Sequence, residues 1–233
     1  MTAFSELFGE FDRRVLPNHL TDADILRLRH EAFALDLGAQ DHAGFDNDED
    51  HFVYVAKGAA KLVAYLSASR EQIVAFGFPG EIIHVPGGGQ RNFSLIALEP
   101  SELLVIPANS LLAASGQDCA LLRLAIEQTM LALGRSRKNA IMLGTRSARE
   151  RLAGFLLDMF ERGSRPDDPP ETIHLPMSRN EIADSLGLTI ETVSRQFSEM
   201  RNLGLIETSG RSLVTILDWE GLAHAAGQMP VAA

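Results

Sequence analysis

Between His51 and Ile106 the apolar positions come in short runs: "HFVYVA", "KLVAYLS", "EQIVAFGF", "EIIHV", "NFSLIAL" and "ELLVI". Several alternate with period two, and glycine or polar turns separate them. Successive side chains of a strand point to opposite faces, so this texture predicts short strands about ten residues apart, the pattern of a β-sandwich or β-roll. "PGGGQ" (86–90) reads as a loop between two of them.

Beyond Ile106 the period changes. From about Asp118 to Leu143, the residues Leu122, Ile126, Thr129, Leu133, Ser136, Ala140 and Leu143 recur in alternating four- and three-residue steps. That is the seam of a coiled coil, softened by Thr129 and Ser136. The stripe either pairs with a second copy of the chain or packs on the β domain. "SARERLAGFLLDMFERG" predicts a further helix, with Leu152, Phe155, Leu156 and Met159 on one face. "GSRPDDPP" (163–170) reads as a loop, since proline lacks the N–H that helix and central strand need. Residues 1–50 are mixed, with one short helix in "TDADILRLRHEAF", where Thr21 is an N-cap and Asp24 follows three residues on. "DNDEDH" (46–51) reads as a solvated turn, because it lacks the glycine and terminal glutamate of a calcium loop.

Ser178 to Asp218 form one unit. "SRNEIADSLG" opens with Ser178 and has Glu181 three residues later, a capping box; Ile182, Ala183 and Leu186 make the inner face. Gly187 stops the helix, because glycine accepts the left-handed geometry past a helix end. Thr189 is a second N-cap, and the helix after it runs to about Asn202, burying Val193, Phe197 and Met200. "LIETSGRSLVTIL" predicts two strands about a Ser209-Gly210 turn. Two helices joined by a tight turn and followed by a hairpin make a winged helix-turn-helix, whose second helix enters the DNA major groove with its first turns against the base edges. Ile190, Glu191, Ser194 and Arg195 occupy that face. Arginine can bond guanine through two donors, and a carboxylate can accept from cytosine. Arg179, Arg195, Arg201 and Arg211 belong to the motif helices and wing, where phosphates would lie, and Ser178, Thr189 and Thr192 are further candidate DNA-binding residues. The competing account of Glu191 and Arg195 is a solvated i,i+4 ion pair.

Charge narrows the reading. The chain of 233 residues carries a formal net charge of −10, which argues against non-specific adhesion to nucleic acid or anionic membranes but not against a local basic patch. From Thr145 onward nine arginines face thirteen acids, so specificity should rest on base contacts. No apolar run approaches the roughly 18 residues of a membrane helix. "MTAFSELFGEFDRR" is not expected to act as a secretory signal, and the single cysteine, Cys119, fits a reducing cytoplasm.

A β-roll, a long helix and a C-terminal winged helix, in that order, resemble the Crp/Fnr family of bacterial transcription regulators. "MSRNEIADSLGLTIETVSR" carries most of the resemblance. "VAFGFPGEII" is similar to a strand-turn segment of the family's sensor domain, and "ARERLAGFLLDM" to the first helix of its DNA-binding domain. Glu191, Ser194 and Arg195 match the E-x-x-S-R signature of the FNR/FixK branch, and Ile190 stands where the cyclic-AMP-receptor branch carries arginine. The resemblance implies an α+β fold: an N-terminal cyclic-nucleotide-binding-like β-roll (1–117), a dimerisation helix (118–144) and a winged helix-turn-helix (145–233). It implies a cytoplasmic homodimer paired through Leu122, Ile126, Thr129, Leu133 and Ala140, bound to double-stranded DNA at a site like TTGAT-N4-ATCAA, with RNA polymerase as partner.

The effector stays open. One cysteine cannot hold an iron–sulfur cluster, which takes about four thiolates, so none is expected. The family's phosphate cassette has Gly-Glu followed by Arg-Ser or Arg-Thr. Here Gly80-Glu81 precedes Arg91, but Asn92 replaces the hydroxyl residue, and Gly80-Glu81 fits an earlier family turn better. Haem through His84 is a second candidate, although a lone histidine at a strand end is ordinarily structural. Cys119, near the start of the long helix, is either a redox switch or a buried structural thiol. A β-roll metalloenzyme is the rival class. His42 and His51 lie amid acids, but no H-x-H pair, nucleophile elbow, P-loop or dinucleotide fingerprint is present, so no enzyme is expected.

Overall fold

The computed structural model describes residues 3–44, 49–67, 70–87, 93–113, 120–163 and 171–227. The chain divides into two compact units, Met1–Ser136 and Arg137–Ala233.

In the first unit, two sheets enclose an apolar core. Strands β1 (Phe33–Leu37), β7 (Ser101–Pro107), β2 (His51–Lys57) and β5 (Ile82–Val85) form one sheet in the order β1-β7-β2-β5; β4 (Arg70–Gly77), β3 (Ala60–Ser67) and β6 (Phe93–Ala97) form the other in the order β4-β3-β6. All pairings are antiparallel. The side-chain period of two decides what each strand buries. On β2 and β7, Val53, Val55, Leu103 and Val105 face the other sheet and pack with Leu62 and Leu95. Phe52, Tyr54, Leu104 and Ile106 point the opposite way, into a second core with Phe8, Phe11, Leu28 and Leu111. These two strands are therefore buried on both faces, which is why "HFVYVA" and "ELLVI" read as continuous apolar runs.

The helices over that second face are α1 (Ala3–Val15), α2 (Asp22–Glu31), the short α3 (Ala108–Ala113) and the start of α4 (Ala120–Thr145). Thr21 caps α2, accepting from the Asp24 N–H, as the sequence predicts. α1, β1 and α3 are additions to the reading of these stretches as mixed or strand-free. Of the predicted loops and turns, residues 46–48, 88–90 and 164–170 lie outside the described residues.

The second unit contains the end of α4 and α5 (Ala148–Gly163), β8 (Thr172–His174), α6 (Arg179–Leu186), α7 (Ile190–Asn202), β9 (Ile206–Ser209), β10 (Leu213–Ile216) and α8 (Trp219–Ala225). The predicted hairpin β9–β10 turns at Gly210 (φ 62°) and gains a third strand, in the order β8-β10-β9. β8 is too short for its period to show in sequence. Leu152, Leu156, Ile173, Ile182, Val193, Val214 and Leu222 are fully buried around the motif.

Asp158 ties two helices of this unit. It accepts from Arg162 Nη1 at 2.8 Å and from Lys138 Nζ, on α4, at 3.2 Å. Burial pushes its carboxyl up, but the Arg162 hydrogen bond and charge, joined by Lys138, outweigh burial and hold it below the ordinary 3.8. A carboxylate held down in the folded state adds stability above its unfolded pKa and loses it as pH falls through the folded value. Asp158→Asn is therefore expected to flatten the acid limb of the stability curve below about pH 4, measured by urea unfolding against the wild type.

Candidate nucleic-acid interface

The motif is built by its caps. Ser178 Oγ accepts from the Glu181 N–H at 3.2 Å, and Glu181 Oε2 accepts from the Ser178 N–H at 2.7 Å, so the capping box forms as predicted. Gly187 ends α6 in the left-handed region (φ 60°, ψ 41°). Thr189 then caps α7 by accepting from the Thr192 N–H at 3.3 Å. Val193, Phe197 and Met200 are buried as predicted, and Gln196 joins them. Removing the first cap by Ser178→Ala is expected to cost about 1 kcal/mol of stability, seen as a lower melting temperature with the helix content retained.

Burying one face of α7 leaves the other in solvent. Ile190, Glu191, Ser194 and Arg195 are all exposed on its first two turns. Glu191 and Arg195 form no ion pair with each other. The carboxylate of Glu191 instead takes its own backbone N–H and the Thr189 hydroxyl, which hold its pKa below the ordinary 4.5. Arg195 has no hydrogen bond or ion pair among the described residues, so its guanidinium donors are open.

The flanking arginines differ in setting. Arg179 lies over the Phe197 ring, its guanidinium carbon 3.2 Å from the ring centroid, and burial with the nearby charge of Arg201 pushes its pKa down to about 10. Arg201 donates to Ser198 Oγ at 3.0 Å and to Thr208 Oγ1 on the wing at 3.3 Å. Arg211 is exposed at the wing turn.

Two further groups shape the motif without being legible as motif residues. Arg151 and Arg146 donate to backbone carbonyls at helix ends, Arg151 to Leu143, Arg146 and Leu186, and Arg146 to Ala226. Ser147 and Glu150 form another capping box, at the start of α5. The S-x-x-E spacing of "SARE" could have revealed that box. Nothing local in sequence marks the arginine contacts.

On α4, Leu122, Ile126, Leu133 and Leu143 are exposed, while Leu121, Leu124 and Ala125 face the core of the first unit. Met130 and Ile141, each 63% exposed, widen the outward apolar surface beyond the predicted seam. Thr129 and Ala140 are exposed too, and Thr129 Oγ1 donates back to the Ala125 carbonyl at 2.8 Å.

Among the sensor candidates, Gly80 (φ 89°) and Glu81 make the turn between β4 and β5. Glu81 accepts from the Phe78 N–H at 3.1 Å and from Arg135 of α4 at 3.0 Å. His84 Nε2 is 2.9 Å from Asp50 Oδ2, and Asp50 Oδ1 accepts from the Gly87 N–H at 2.7 Å. Burial raises the Asp50 pKa, but the Gly87 and His84 hydrogen bonds outweigh it, and the net shift is downward. Arg91, Asn92 and Cys119 lie outside the described residues.

A β-roll and a long helix followed by a winged helix-turn-helix with an open reading face define a DNA-binding regulator. Residues 150–225 match the model of the Crp-like helix-turn-helix domain, and residues 43–118 that of the cyclic nucleotide-binding domain. The nitrogen fixation regulation protein FixK of Bradyrhizobium diazoefficiens is 37% identical over 179 residues, 75% of this chain and 74% of that protein. The transcriptional activator protein FnrA of Stutzerimonas stutzeri is 34% identical over 179 residues, 74% of this chain and 71% of that protein. The structure of FixK2 from Bradyrhizobium japonicum superimposes with a TM-score of 0.75 at 28% identity, covering 87% of this chain and 99% of that one. The chain belongs to the Crp/Fnr family of transcription regulators.

Proposed function

We propose that the protein is a homodimer that reads a palindromic duplex of the form TTGAT-N4-ATCAA and acts on transcription through that site. The observation that carries this reading is the open face of α7, where Ile190, Glu191, Ser194 and Arg195 are exposed and Arg195 has no protein partner among the described residues. Arg195 reaches the guanine of TTGA, Glu191 accepts from a cytosine, and Ile190 and Ser194 pack on thymine methyls. Ser178, Arg179, Thr189, Thr192, Arg201 and Arg211 position the motif on phosphates. Pairing runs along residues 118–144 through Leu122, Ile126, Thr129, Leu133 and Ala140, supported by the exposure of that stripe.

The function is regulatory rather than enzymatic and is exercised in the cytoplasm. RNA polymerase is the proposed protein partner, in keeping with a relative named as a transcriptional activator. The engagement of His84 by Asp50 supports a structural part for that imidazole rather than haem ligation. Binding-site selection from random duplexes tests the reading. TTGAT half-sites in inverted repeat are the expected product, and enrichment of TGTGA half-sites instead would overturn the assignment of the reading face.

A further inference from the structure

Arg151, in the first turn of α5, places one guanidinium among three carbonyl oxygens. Its Nε donates to Arg146 O at 2.9 Å, its Nη1 to Leu186 O at 3.1 Å and its Nη2 to Leu143 O at 2.7 Å. Leu143 lies in the last turn of α4, Arg146 in the junction between α4 and α5, and Leu186 is the last residue of α6. Carbonyls at a helix C-terminus have no intrahelical donor and carry the negative end of the helix dipole. A planar fork of five N–H donors can serve three such oxygens at once, whereas the ammonium of lysine is a compact point.

The neighbouring backbone is equally close. A Cβ at Gly187 would lie 3.3 Å from Leu143 Cδ2 and 3.8 Å from Arg151 Nη1. The turn of the helix-turn-helix therefore sits directly against the last turn of α4. Two residues after Gly187, Thr189 caps the reading helix. Arg151 thus links the end of α4 to the end of α6, and the turn after α6 leads into the first turn of α7.

We propose that Arg151 is a positioning residue that fixes the angle between the last turn of α4 and the reading helix, and so sets which half-site spacing the dimer accepts. It touches no DNA group itself. The inference rests on the palindrome-reading dimer proposed above. In such a dimer each reading helix is tied to the seam through α5, which packs on α7, and through the motif turn that Arg151 holds against the end of α4. Half-site centres lie about 34 Å apart, and one inserted base pair moves the second half-site by about 3.4 Å along the axis and turns it by roughly a tenth of a helical turn. A fixed angle penalises that displacement, and a loosened one tolerates it.

The test uses full-length wild type, Arg151→Gln and Arg151→Lys. Fluorescence anisotropy gives Kd for a duplex with one half-site and for palindromes with the preferred spacer and with one base pair more or fewer. Arg151→Gln is expected to keep single-half-site Kd within about threefold of wild type, because the reading face is untouched, while its preference for the correct spacer falls by about tenfold, or ~1.4 kcal/mol. Arg151→Lys retains the charge and can serve only some of the carbonyls, so its spacer preference should lie between the two. If Arg151→Gln fails to fold, Arg151→Lys carries the same comparison at reduced amplitude. Spacer preference unchanged in the folded variants overturns the assignment. So does a parallel loss of single-half-site and palindrome binding, which would make Arg151 structural only. A wild type indifferent to spacer length overturns the dimeric reading, and this inference with it.

Discussion

Leu133→Glu is expected to convert the protein to a monomer and to abolish tight binding to a palindromic duplex. Leu133 is 41% exposed in the single chain and lies four to eleven residues from Ile126, Thr129 and Leu122, on the outward stripe of α4. Pairing of two such stripes would bury it at the seam, and its replacement would put a carboxylate from each copy into that apolar contact. An unpaired buried charge is among the costliest single changes available to an interface. In the proposed dimer each half-site is read by one subunit, so loss of pairing also removes the second, intramolecular binding event, worth about 10²- to 10⁴-fold in affinity. Sedimentation velocity and anisotropy should change together, while circular dichroism stays that of a folded chain. A mutant that sediments as the wild type does would show that the seam lies elsewhere on α4.

Arg195→Ala is expected to cost about 1–3 kcal/mol on the TTGAT-type site and to flatten preference at its G·C pair. Among the described residues the guanidinium has no partner to lose, so its removal should leave stability unchanged and act on DNA binding alone. The contrast is Arg201→Ala, proposed as a phosphate contact, which should weaken all sequences alike and lower the salt slope by about one unit. Base-substituted duplexes separate the two cases. A retained G·C preference in Arg195→Ala would remove this residue from the reading set.

The winged helix was legible because its signals are local. A serine with glutamate three residues on, a glycine at a helix end, a threonine cap and apolar steps of three and four each depend on a few neighbouring residues, and Ser178, Gly187, Thr189 and Val193 occupy the expected places. The strands of the β-roll were legible for the same reason. α1 was not included in the reading of residues 1–50, although Phe4, Leu7, Phe8 and Phe11 carry the helical period; its place over Tyr54 comes from packing on the outer face of β2. β8 has three residues, fewer than any periodicity needs, and exists because β10 offers it an edge.

The sequence by itself determined the winged helix, the long helix and six strands of the β-roll, the apolar face of the motif helices, and which four side chains stand on the exposed start of α7. These follow from backbone geometry acting over spans of one or two turns. Only the tertiary structure decided that Arg179 is held on Phe197 and that Arg151 joins the ends of α4 and α6. Each of these joins groups distant in sequence. Hydrogen-bond partners of long polar side chains are set by whichever donors and carbonyls the packed core brings within about 3 Å, and no local pattern encodes that.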